Sequence, residues 1–220
     1  MQDPAYPVVL LFCGTHALQH MSHDYKSILF NTARQKLVSY MSKAESAEVL
    51  RRPPGDALEF DPAALAEAHR LTAGQPYLLQ VLGSTIVERL NAALDHGEAP
   101  DNYVDLQDME RAAQIVARQD NAAYENYWKD RTPAQRRVLS AMAAIPEEVR
   151  RATSIPDLDR RLSDEGMPVP RPDLVGALQA LVEEEFLREE AGLYEFSVPL
   201  FRRWIAAKNP PTTVRKIPAS

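Results

Sequence analysis

The chain has 220 residues, of which 45% are hydrophobic and 25% charged, a composition typical of a globular protein that buries a core. Its formal net charge of −6 gives no long-range attraction to nucleic acid or to an anionic membrane. The one cysteine, Cys13, cannot form an intrachain disulfide, so we expect a cytoplasmic protein, and no stretch is apolar enough to predict a membrane helix.

The first strong pattern is "YPVVLLFCGTHALQHM", where the apolar run Val8–Phe12 leads into Cys13, Gly14 and Thr15. This pattern predicts a buried strand that ends in an exposed turn, as in a parallel sheet covered on both faces. A helix and a short extended piece follow in "DYKSILFNTARQ" and "KLVSYM". Residues 1–41 therefore predict the end of an α/β layer, although the other strands of such a sheet are missing from the sequence.

Histidines follow the predicted strand at His16, His20 and His23, and on a helix they would share one face. That arrangement would suit zinc, but no further ligand has a diagnostic spacing. Imidazoles in a surface loop are the preferred interpretation, and we predict no metal site.

Residues 42–130 have helical periodicity and strong capping signals. Ser42 with Glu45 forms a capping box, and Asp61 followed by Pro62 starts a second helix that Gly74 ends. An apolar helix starts near Pro76, and a long helix capped by Asp105 is predicted to run to Asp130. The spacing predicts a helical bundle.

Residues 131–208 begin with Thr132 and Pro133, which start a helix, and two more helices precede two alternating runs around Ala191 and Gly192. Three helices followed by a β-hairpin is the order of a winged helix. A last amphipathic helix follows, and the Pro-rich residues 209–220 predict a flexible tail. Because the apolar pattern changes near Lys129–Thr132, we expect two bodies with their own cores.

Catalytic motifs are missing from the sequence. A P-loop needs two glycines five residues apart followed by Lys and Ser or Thr, and no glycine pair fits. No apolar strand ends in Asp-Asp or Asp-Glu, and no GxSxG elbow is present. The successive carboxylates Glu183–Glu185 point in different directions on a helix. We predict no catalytic residue and no ATP hydrolysis by this chain alone.

Three stretches, "LLFCGTHALQHMSHDYKSILFNTA", "TAGQPYLLQVL" and "LYEFSVPLFRRWI", together resemble the C-terminal part of STAND-type ATPases, AAA+ relatives that include forms similar to origin-recognition ATPases. The resemblance implies a late core strand at Val8–Phe12, with Thr15 near the position that senses the γ-phosphate. It also implies a helical lid over 42–130, a winged helix after it, and an N-terminal half that carries the P-loop and the metal-binding acid. The chain would then be a fragment of a parent that uses ATP or ADP with magnesium, with no cofactor of its own.

Within the stretch "AGQPY", Gly74 would let the backbone approach a ligand, and the ring of Pro76 could lie against a purine at a positive helix N-terminus. In the resembling ATPases the equivalent Gly-x-Pro contacts the nucleotide. The alternative is an ordinary helix junction. No arginine lies between Tyr77 and Glu88, so the arginine sensor of many AAA+ relatives is absent from that helix.

The leading hypothesis is a mainly α, non-catalytic lid and winged helix that couples nucleotide state to domain movement and protein interaction, with the missing ATPase core as a partner. One alternative is a winged-helix DNA-binding regulator with an N-terminal helical sensor or dimerisation domain, and another is a structural adaptor. The predicted third helix and hairpin are acidic, so we expect no tight DNA binding through them.

Overall fold

The computed structural model describes Leu11 and residues 39–97, 102–147, 149 and 152–217. The chain divides into two compact units, Met1–Ser39 and Tyr40–Ser220, and the helices and strands of the described residues all belong to the second. The predicted strand, the histidine cluster and Thr15 lie outside the described residues, apart from Leu11. Leu11 is exposed and in no regular element, which differs from the buried strand predicted there.

The structure is mainly helical, as the sequence predicts. Its first half contains, in chain order, helix α1 (Lys43–Arg51), a 3-10 turn (Gly55–Ala57), strand β1 (Glu59–Phe60), helix α2 (Pro62–Thr72), helix α3 (Pro76–Asp95), strand β2 (Tyr103–Val104), helix α4 (Leu106–Arg118) and helix α5 (Ala122–Lys129).

The helix starts follow the capping chemistry of the sequence. The Ser42 amide donates to the Glu45 carboxylate at 2.8 Å, and the Ser42 hydroxyl accepts from the Glu45 amide, which completes the capping box. The Asp61 carboxylate accepts from the Ala63 amide at 2.7 Å, with Pro62 at the first helical position. Both predicted starts are confirmed.

The long helix predicted over 105–130 is wrong, because the chain breaks at residues 119–121. Gln119 is extended, and the side-chain oxygen of Asn121 accepts from the amides of Ala123 and Tyr124 at 3.1 and 3.2 Å. An asparagine that caps a new helix competes with continuation of the old one. Helices α4 and α5 are therefore separate elements, and α5 need not continue along the axis of α4.

A short parallel pair that the sequence did not predict joins distant parts of the first half. Glu59 pairs with Tyr103 and Phe60 with Val104, and the side chains of Phe60 and Val104 are buried. This pairing places the start of α2 beside the start of α4.

The second half contains helix α6 (Pro133–Ala143), strand β3 (Thr153–Ser154), helix α7 (Ile155–Asp164), helix α8 (Arg171–Glu183), strands β4 (Leu187–Glu190) and β5 (Leu193–Phe196), and helices α9 (Pro199–Lys208) and α10 (Pro211–Val214). The strands form an antiparallel sheet in the order β3-β5-β4. The predicted hairpin is confirmed, and its turn uses left-handed backbone at Ala191 and Gly192. The strand β3 was not predicted.

Buried residues of both halves belong to one hydrophobic cluster, although the sequence predicts separate cores. Helix α9 packs against α4, α2 and α6. The Tyr124 ring of α5 lies 5.0 Å from the ring of Phe201 and 5.5 Å from that of Trp204, both on α9. The apolar face of α9 therefore serves the first half as well as the second. The boundary near residue 130 stays a prediction.

The residues after α9 pack against the protein, where the sequence predicts a flexible tail. Val214 of α10 is fully buried, and α10 packs on α6. The Ser140 hydroxyl donates to the Asn209 carbonyl at 2.7 Å, and the Arg137 guanidinium donates to the Ile217 carbonyl at 3.0 Å. These contacts hold residues 209–217 in place.

Candidate functional site

The turn between α2 and α3 contains the two described residues of the predicted nucleotide site, Gly74 and Pro76. Ala73 and Gly74 are both left-handed, with φ of 51° and 78°. The Gly74 amide donates to the Thr72 hydroxyl at 3.2 Å, and the Gln75 amide donates to the Thr72 carbonyl at 3.0 Å. The turn is thus locally hydrogen-bonded and leads directly into α3.

Gly74 is buried, and its close neighbour is the protein's own backbone. The Met41 amide donates to the Gly74 carbonyl at 2.8 Å. A Cβ atom built on Gly74 would lie 2.0 Å from the Met41 carbonyl oxygen. The sequence predicts that Gly74 gives a ligand close access to the backbone, whereas the close approach in the structure is that of Met41. A nucleotide contact at Gly74 stays a prediction.

Pro76 is exposed at the start of α3, beside Tyr77, whose side chain is 48% exposed. The N-cap residue Gln75 makes no side-chain capping hydrogen bond. A helix start of this kind carries partial positive charge and an accessible apolar ring, which together suit the base of a nucleotide. Thr15, the third predicted contact, lies outside the described residues.

A cavity of about 300 Å³ lies next to this turn, since Ala73 is part of its wall. The wall combines the end of α2 with the hairpin and the start of α9. Its residues are His69, Arg70, Ala73, Glu147, Arg188, Glu195, Phe196, Ser197, Pro199 and Arg202.

The arginines of the cavity are engaged by carboxylates or carbonyls. Arg70 forms two hydrogen bonds with Glu67, at 2.6 and 2.7 Å, and these are the main cause that raises the pKa of its guanidinium. Arg70 also lies 3.5 Å from Glu147, which in turn lies 3.6 Å from Arg203. Arg203 contacts both carboxylate oxygens of Glu110 at 2.9 Å. The resulting chain of ion pairs links α2, the loop after α6, α9 and α4.

His69 adds little positive charge to the cavity at neutral pH. Burial and the nearby Lys43 ammonium lower the pKa of its imidazole. Its Nδ1 lies 2.9 Å from the hydroxyl of Ser46 on α1. The imidazole therefore joins α1 to α2 as a neutral hydrogen-bonding group.

The exposed surface of α8 and the hairpin is acidic. The one basic residue of α8 is Arg171, which lies 3.9 Å from Asp159. The one basic residue of the hairpin is Arg188, which lies 2.6 Å from Glu195. Exposed carboxylates on this surface belong to Asp173, Glu183, Glu184, Glu185, Glu189 and Glu190. Such a surface repels phosphate backbones.

Several arginines outside α8 and the hairpin connect elements of the fold. Arg136 donates to the carbonyls of Trp128 and Lys129, and Arg137 donates to those of Pro168 and Ile217. Arg161 donates to the Ala141 carbonyl at 2.9 Å. Their guanidinium groups are therefore committed to structural contacts.

Among the described residues, no group of three or more His, Cys, Asp or Glu side chains could hold a metal ion. The histidines at 16, 20 and 23 lie outside the described residues. In the same part of the chain, no helix is long and apolar enough to cross a membrane.

No family model matches the chain, and no curated protein matches it. Among solved structures it is similar to a Walker-type ATPase of Pyrococcus abyssi, with a TM-score of 0.56 and 23% sequence identity. The likeness covers 92% of this chain and 49% of that one, so the chain spans about half the length of its structural neighbour. The two share a fold over that half.

Sequence reasoning missed Met41 and Glu147, the residues that connect the candidate site to the rest of the protein. Met41 contacts the turn through backbone atoms, and such contacts leave no mark on residue type. Glu147 reaches arginines on α2 and α9 that are far from it along the chain. No local pattern could have indicated either contact.

Proposed function

We propose that residues 42–130 are the helical lid, and residues 131–208 the winged helix, of a STAND-like AAA+ ATPase. The observation that carries this proposal is the likeness in fold, across 92% of the chain, to about half of a Walker-type ATPase. The order of α6, β3, α7, α8 and the β4–β5 hairpin supports the winged helix. The helices from α1 to α5 support the lid.

In this proposal an N-terminal ATPase core of the same parent protein, with a P-loop and magnesium, supplies the chemistry of ATP, and the residues of this chain contribute no catalytic group. The exposed ring of Pro76 packs against the purine at the uncapped start of α3. Thr15 senses the γ-phosphate, as the resemblance implies. These residues suit contact with a nucleotide base, because the apolar ring of Pro76 and the positive start of α3 lie side by side.

A lid acts as a nucleotide switch only when it contacts the core or nucleotide differently in two states. The ion pairs from Arg70 through Glu147 to Arg203 hold α2 beside α9. We propose that this arrangement moves the lid and winged helix together when nucleotide is exchanged. The acidic surface of α8 and the hairpin then docks on a basic protein partner, with the ATPase core in its resting state as one such partner.

The acidic surface of α8 and the hairpin does not favour the DNA-regulator alternative. A recognition helix needs donors that face base edges and basic groups near phosphates. Here the cations of both elements, Arg171 and Arg188, are paired with carboxylates, and further carboxylates surround them.

The first test is the coding sequence upstream of Met1, where the proposal expects an in-frame strand followed by GxxxxGK[ST]. A stop codon in that frame with no P-loop before Met1 would contradict the proposal. The purified chain alone should show no magnesium-dependent ATP turnover.

The second test measures the affinity of a fluorescent ADP analogue for the chain joined to its core. Pro76→Ala should weaken binding by about 3- to 10-fold, since about 1 kcal/mol of apolar contact is lost. Pro62→Ala is the matched control, an exposed first-turn proline on α2, and should leave affinity unchanged. Equal affinity for both variants and the parent would remove Pro76 from the site.

A further inference from the structure

Residues Tyr40–Ser42 form a strap, defined as the segment through which the chain enters the helical body ahead of α1. Its middle residue, Met41, donates its amide hydrogen to the Gly74 carbonyl at 2.8 Å. The Met41 side chain is half-buried against the hydrophobic core. Ser42 caps α1, so the strap leads without a gap from the turn contact into a capped helix.

The strap also lies near the second half of the structure. Burial raises the pKa of the Tyr40 hydroxyl, and the nearby Glu185 carboxylate and Tyr127 hydroxyl raise it further. Glu185 follows α8 and Tyr127 lies on α5. Tyr40 therefore lies near Glu185 and α5, and Met41 contacts the turn that starts α3.

Gly74 fits this contact because it has no side chain. A methyl group there would lie 2.0 Å from the Met41 carbonyl oxygen, and the obstacle is backbone, which cannot turn aside as a long side chain can. Gly97 has the same φ of 78°, yet none of the described residues lies within 4 Å of a Cβ built there. The two glycines share a backbone conformation and differ in the space around them.

We propose that Met41 and Gly74 form a backbone latch, which is a contact between two backbone segments. Through this latch, the position of the strap determines the position of the start of α3 at Pro76. Gly74 is then a positioning residue, and its lack of a side chain serves the strap and not a ligand. Movement of the strap reaches the start of α3 through one peptide hydrogen bond and one close backbone contact. The relevance of the latch to nucleotide rests on the proposed function, whereas the latch itself does not.

A pair of matched variants tests the close contact by thermal unfolding of the full chain. Gly97→Ala adds only left-handed backbone strain and should lower Tm by about 2–4 °C. Gly74→Ala adds the collision with Met41 and should lower Tm by at least twice as much, or prevent folding. Equal shifts in Tm for the two variants would overturn the latch.

Hydrogen exchange of the unaltered chain tests the hydrogen bond without any substitution. The Met41 amide lies outside regular secondary structure, yet it should exchange on the order of 100-fold or more slowly than an unstructured amide. Exchange at the unstructured rate would overturn the proposal.

The Met41→Pro variant tests the transmission, because proline has no amide hydrogen to donate. Peptides covering 73–79 should exchange at least several-fold faster, and peptides covering α7 should not change. Unchanged exchange over 73–79 would show that the strap does not position the turn. These measurements contain no nucleotide, so they can fail or succeed separately from the affinity test of Pro76.

Discussion

Removing the hydroxyl of Tyr124 should make the protein more stable, although Tyr124 is among the most buried aromatic residues. Its side chain is 3% exposed, and among the described residues its hydroxyl has no hydrogen-bond partner. Burial raises the pKa of this hydroxyl far above its ordinary value, so the group stays neutral. A buried hydroxyl without a partner costs about 1–3 kcal/mol relative to water.

The variant Tyr124→Phe removes the hydroxyl and keeps the ring contacts with Phe201 and Trp204 at 5.0 and 5.5 Å. We expect the free energy of unfolding to rise by about 1 kcal/mol, which corresponds to about 2–4 °C in Tm for a body of this size. Denaturant titration followed by circular dichroism measures the first quantity, and calorimetry measures the second.

Tyr127→Phe is the matched control on the same helix, because Tyr127 is 40% exposed whereas Tyr124 is 3% exposed. Its stability should change by less than about 0.5 kcal/mol. If Tyr124→Phe instead lowers stability by about 1 kcal/mol or more, the hydroxyl has a partner, and the reasoning from its burial is refuted.

Other predictions concern a cap, a histidine and the acidic surface. Asn121→Ala should cost about 1 kcal/mol in urea unfolding, since two amides of α5 lose their acceptor, while the exposed Asn126→Ala should be nearly neutral. The pKa of His69 is lowered in the folded state, so the unfolded chain binds the proton first as pH falls below about 6.5, and the free energy of unfolding should decrease there. His69→Gln should flatten that decrease. An unaltered pH profile of stability in this variant would exclude His69 as the source of the decrease. A DNA duplex titrated at about 50 mM salt should show no submicromolar binding, and tight, salt-sensitive binding would restore the DNA-regulator alternative.

The sequence predicts most helix starts because capping depends on residues within one turn of each other. The capping boxes at Ser42 and Thr132 are both formed in the structure. Capping also explains why the single helix predicted over 105–130 is wrong near residue 120. An asparagine such as Asn121 is more favourable as a helix cap than in a helix interior. Apolar periodicity continues across Asn121 and hides the cap.

Features that depend on distant residues could not be predicted from local patterns. Strands β1 and β2 have two residues each, too few for alternation to be visible. Periodicity shows that Phe201 and Trp204 share a buried face but does not say which helix covers it. The candidate site has the same limit: "AGQPY" marks the turn, whereas its contact with Met41 joins residues far apart in the chain.

The docked segment 209–217 has a consequence for how the protein is made. A ribosome delivers α6 well before α10, so the apolar surface that Val214 covers stays open until residues 211–217 have been synthesised. A nascent chain that stalls before that point would expose this surface to chaperones and proteases. Helix α10 thereby distinguishes a chain translated through Ile217 from an interrupted one.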